Sequence, residues 1–142
     1  MIQKFFSIAI TLLVITACQN QAQKEEKVTH QESEKLHLNE GEKWLANKET
    51  HIGMSNLQNL LSTVADSVDY TALASKMGEE TQYIIKNCTM KGEDHKQLHL
   101  VLHPILDNIA KVEQATGVED KKNAVMAIKA SLADYFTYFE TK

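Results

Sequence analysis

The chain has 142 residues, 43% of them hydrophobic, which is enough for one core and too few for two. Its formal charge is a mild −4, and all fifteen basic residues are lysine. The bidentate guanidinium fork that suits phosphate and guanine is therefore missing, which argues against nucleic acid as a partner.

The N-terminus reads MIQKFFSIAITLLVITAC, with Lys4 ahead of an apolar run from Phe5 to Ile15 and then Thr16-Ala17-Cys18. That run is too short for a permanent membrane span and has the charged start and small-residue end of an export signal. Ile15-Thr16-Ala17-Cys18 resembles the lipobox of bacterial lipoproteins. The resemblance implies that residues 1–17 are a cleaved signal peptide and that Cys18 is lipidated as the first mature residue. It also implies a protein of the cell envelope, anchored to a membrane by acyl chains. Gln19 lacks the acidic character associated with inner-membrane retention, so the expected address is the outer membrane, facing the periplasm. Lipidation of Cys18 leaves Cys88 as a single thiol with no disulfide partner, hence a buried small hydrophobe, a ligand or a reactive group.

Residues 18–38 are polar and charged with little periodicity, and read as a flexible tether in which His30 and His37 are solvated. Order is expected to begin at Asn39, with Glu42 three positions on as in a capping box, so that 39–142 form the folded domain. In the first helix Asn47, Thr50, Met54, Leu57, Leu61, Val64 and Val68 recur at spacings of three and four, with Trp44 and Leu60 beside the stripe. Asn47 and Thr50 occupy places where a bundle ordinarily has leucine. Asp66 and Asp69 mark a boundary. A second helix from about Tyr70 to Met90 carries Leu73, Met77, Thr81, Ile84 and Cys88 on one face, with Gly92 as its C-terminal cap.

A third helix starts near Glu93 and Asp94 and continues through Leu98, Leu102, Ile105, Leu106, Ile109 and Val112. Pro104 within it predicts a kink or short break about one turn earlier. After Gly117, a fourth helix places Val125, Ile128, Leu132, Tyr135 and Phe139 in heptad positions. No strand pattern is present. The expected fold is all-α, an antiparallel up-down-up-down four-helix bundle.

Reflecting the helices through their turns puts Trp44, Asn47, His51, Met54, Cys88, Met90, His95, His99, Asp134 and Tyr138 in one half of such a bundle. At about 100 degrees per residue, His95 falls in the apolar arc of the third helix, His99 on its flank and His103 nearer water. The i, i+4 spacing lets two imidazoles bind one metal from a single helix, and sulfur ligands favour copper(I) or zinc. The candidate metal ligands are Cys88, His95 and His99, completed by Met90, His51 or Met54. Read singly, Met54 is a core filler, Met90 a rim residue, His103 surface and Cys88 an inert thiol.

Cys88-Thr89-Met90-Lys91-Gly92 followed by His95, Leu98 and His99, with Gly41, Lys43, Trp44 and Asn47 upstream, resembles a group of small bacterial lipoproteins of unassigned function. The architecture is also similar to cytochrome b562-like bundles. That similarity implies haem b held noncovalently by Met54 and a histidine, here His95 or His99 on the third helix rather than one on the last. A third reading is an envelope interaction module in which Trp44, Tyr138 and the histidines dock a protein partner. No residue set names a reaction. His95-Lys96-Gln97-Leu98-His99 lacks the glutamate of a His-Glu-x-x-His protease, no glycine loop cradles phosphate, and there is no Cys-x-x-Cys-His for covalent haem.

Overall fold

A computed structural model of the chain describes residues 35–63 and 68–141, so the expected signal peptide, Cys18, His30, Val64 and Asp66 lie outside the described residues. Among the described residues four helices dominate: α1 (Lys48–Ser62), α2 (Tyr70–Asn87), α3 (Gly92–Gln114) and α4 (Val118–Tyr138). Packing is most extensive between α3 and α4 and between α1 and α2, and contacts of α2 with α3 and α1 with α4 close the ring. The fold is an all-α four-helix bundle. Asn47, just before α1, bonds the carbonyl of Asn87 at the end of α2, and Asn56 reaches Glu80, so these two helices run in opposite directions.

The apolar spacing locates the core well. Met54, Leu57, Met77, Ile84, Leu98, Ile105, Val112 and Ile128 have no exposed surface, and enclosing each large side chain contributes about 1.5–3 kcal/mol. Asp69 caps α2 by accepting from the backbone N–H groups of Thr71 (2.9 Å) and Ala72 (3.1 Å). Pro104 does not interrupt α3, which stays helical from end to end. Among the described residues no helix is long and apolar enough to cross a membrane.

The start of the fold differs from the expectation. Asn39 and Glu42 do not cap a helix; they exchange two backbone hydrogen bonds of 2.8 and 2.9 Å across a tight turn. Glu40 (φ 54°) and Gly41 (φ 96°) both turn left-handed there, a conformation glycine takes at no steric cost. A short strand, β1 (Trp44–Ala46), follows and pairs in parallel with β2 (Phe139–Thr141), Trp44 opposite Phe139. No strand was expected from the sequence. This two-stranded clip joins the residues entering α1 to those leaving α4, and Lys43 Nζ donates to the Phe136 carbonyl (2.7 Å) in the last turn of α4.

At Gly53, α1 lies close against α2. A Cβ there would collide with Ile84 Cγ1 and lie 2.9 Å from its Cδ1, and Ile84 is fully enclosed. Gly53→Ala gains about 1 kcal/mol of helix propensity but overpacks the contact by about 1–3 kcal/mol. The expected result in urea unfolding is a net loss of about 1 kcal/mol. An unchanged or raised midpoint would mean that Ile84 moves aside.

Candidate functional site

The polar residues at one end of the bundle mostly serve the fold. Asn47 Nδ2 donates to Glu49 Oε2 (2.7 Å) and to the Asn87 carbonyl (3.0 Å), while its Oδ1 accepts from Thr50 Oγ1 (2.6 Å). Asn87 Nδ2 donates back to the Tyr83 carbonyl (2.8 Å). These bonds explain why Asn47 and Thr50 stand at leucine positions: they hold the end of α2 against the start of α1.

That end comes earlier than expected. Cys88 is the C-cap of α2, extended in backbone (φ −67°, ψ 120°) and half-buried, not a residue on the core face of a helix. Met90 is buried in the connection that follows, and Gly92 (φ 65°) opens α3 rather than capping α2.

The segment ahead of β1 is fastened to α3. The His37 backbone N–H donates to Gln97 Oε1 (3.2 Å), and the His37 carbonyl accepts from Trp44 Nε1. Gln97, 1% exposed, also donates to Glu93 Oε1 (3.2 Å). Leu36 packs on the core, so the ordered region begins before Asn39. The exposed His37 ring meets Trp44 edge-on at 5.6 Å. Trp44 itself is buried, which removes it from any docking surface. The hydrogen bonds from Gln97 and then from Lys96 hold the Glu93 carboxyl below the usual carboxylate range.

Along the outer side of α3 the histidines form a row. His95 and His99 have ring centroids 4.4 Å apart at 66°, and His99 and His103 are stacked at 4.8 Å and 24°. Positions four apart on a helix are separated by about 6 Å along its axis, so these rings lean toward one another. His95 is half-buried, and His99 and His103 are exposed. The His99 pKa is lowered, first by partial burial and then by His95 and His103, because a charged neighbour on either side opposes a second charge. Its free ring is thereby biased toward the neutral, ligating form.

A second pair joins α1 to α4. Tyr135 Oη lies 3.3 Å from His51 Nδ1, with the His51 ring edge-on to Phe136 at 5.7 Å and Tyr135 stacked on Phe139 at 5.1 Å. Tyr135 is fully enclosed, and its phenol pKa is pushed well above the usual range, mainly by burial and secondarily by Cys88 nearby.

The expected ligands are thus divided among three places. His95 and His99 come together as their spacing implied, and His103 extends them. His51 is with Tyr135, and Cys88 bears on the same phenol. Met54 is enclosed in the core and Met90 is buried in the connection. Among the described residues no three or more His, Cys, Asp or Glu side chains are grouped to hold one ion, so Cys88, His95 and His99 do not form a single closed site. The His51–Tyr135 contact was not anticipated, because reflection through consecutive turns says nothing direct about how α1 meets α4.

The fold and the row define a class: an all-α four-helix bundle with a ladder of imidazoles on one helix. No protein-family model matches the chain, and comparisons with curated proteins and with solved structures found no match.

Proposed function

We propose that the chain is a lipid-anchored protein of the bacterial envelope whose bundle binds a transition-metal ion through a neighbouring pair of the His95, His99 and His103 row. The observation that carries this reading is the convergence of neighbouring rings to 4.4 and 4.8 Å. Two nitrogens on one tetrahedral zinc are about 3.3 Å apart, a separation that the inclined His95 and His99 rings can reach. An imidazole set without sulfur suits zinc or copper(II), whereas the Cys88 and Met54 contribution would have favoured copper(I). The lipobox-like Ile15-Thr16-Ala17-Cys18 and the resemblance to small lipoproteins support the anchor and the envelope address. Haem binding has less support, because Met54 is fully enclosed while His99 is exposed, and a haem held by both would have to open the core.

His99 belongs to both ring pairs, so it is the residue to remove. In a calorimetric zinc titration of the full chain in detergent, His99→Ala should weaken binding at least about tenfold, or 1.4 kcal/mol. Cys88→Ala should leave binding unchanged. Affinity should fall as pH drops below the usual histidine range, since protons compete for the ligating nitrogens; the lowered pKa of His99 postpones that loss toward acid. Equal zinc affinity in His99→Ala and the unaltered chain would overturn the reading.

A further inference from the structure

The histidine row offers too few ligands for a closed site. Zinc in a closed protein site takes four ligands, and a neighbouring pair on α3 supplies two. His95 and His103 are two turns apart, about 12 Å along the axis, so one ion cannot take both ends of the row together with its centre. No other described His, Cys, Asp or Glu is grouped with these residues to make up the number.

We infer that a second copy of this chain completes the coordination, two α3 helices facing each other across one shared ion. A twofold axis through the ion needs the same pair from each copy, His95 with His99, whose rings are inclined to each other at 66°. Two observations favour this occupant. His99 and His103 are exposed and His95 is half-buried on the outer side of a 23-residue helix, where a second α3 can approach. One flanking lysine is already paired, Lys96 Nζ with Glu93 Oε2 at 3.1 Å. Lipid anchors confining copies to one membrane plane would raise their effective concentration. The inference rests on the metal-binding reading above and specifies its coordination.

The test uses the full chain in detergent with zinc chloride as the probe, followed by sedimentation velocity and elemental analysis, with far-UV circular dichroism confirming that variants keep their helices. The expected result is a dimer that forms only with zinc, holds one ion per two chains, dissociates with a chelator or in mild acid, and is absent in His99→Ala. A monomer retaining one zinc per chain would overturn the shared ion and leave metal binding standing. A dimer that forms without zinc, or persists in His99→Ala, would also overturn it. A chain that retains no zinc would remove both readings.

Discussion

Trp44→Ala should destabilise the bundle by about 3–5 kcal/mol, a large share of the 5–15 kcal/mol typical of a domain. The indole is 5% exposed, lies opposite Phe139 in the β1–β2 pair, and donates to the His37 carbonyl. Truncation leaves a cavity and frees the segment that satisfies Gln97, a buried amide at the first turns of α3. Trp44→Phe keeps most of the packing and removes the indole donor, so its cost should be about 1–2 kcal/mol. Urea unfolding of the full chain measures both. A loss under about 1 kcal/mol for Trp44→Ala would mean that the clip between the chain's two ends adds little to the bundle. Zinc affinity should be unaltered in Trp44→Phe, because the histidine row does not depend on the indole.

The second large effect is expected at Tyr135. Replacing it by alanine empties a fully enclosed site between Phe139, Phe136 and His51, at a cost of about 3–5 kcal/mol. Tyr135→Phe isolates the hydroxyl: only the 3.3 Å contact to His51 is lost, for about 1 kcal/mol. The pH dependence follows from the raised pKa. Below about 10, the ordinary tyrosine value, the phenol is neutral in both folded and unfolded chains and its contribution is fully present. As pH rises further the unfolded chain ionises first, so stability is progressively lost in alkali. Tyr135→Phe should unfold less steeply above pH 10 than the unaltered chain, and parallel alkaline profiles would contradict the assignment.

Much of the bundle was legible in the sequence because α1 to α4 each bury a stripe of regular spacing, and the residues named for those stripes are largely the ones enclosed. The boundaries were less legible, for local reasons. Asn39 to Glu42 has the composition of a capping box, but Gly41 allows a left-handed turn that the spacing rule does not weigh. Trp44-Leu45-Ala46 alternates buried and exposed over three residues, too short to register as a strand, and its partner is 95 positions away. Cys88 fits the spacing of α2, yet the helix stops at Asn87, whose carbonyl Asn47 takes in a tertiary bond no periodicity reveals.

The same distinction applies to the candidate site. The i, i+4 spacing of His95 and His99 foretold a local pairing, and His103 extends it by the same arithmetic. The long-range grouping of Cys88, Met54 and Met90 with them depended on helix ends and rotations. Those went another way: Met54 and Met90 fill the interior, and Cys88 bears on Tyr135.

The most direct measurement is X-ray absorption at the zinc edge of the zinc-loaded full chain. Imidazole coordination predicts nitrogen or oxygen scatterers at about 2.0 Å and no sulfur, with the imidazole signal lost in His99→Ala. A sulfur shell at about 2.3 Å that disappears in Cys88→Ala, or a zinc environment indifferent to His99, would contradict the account.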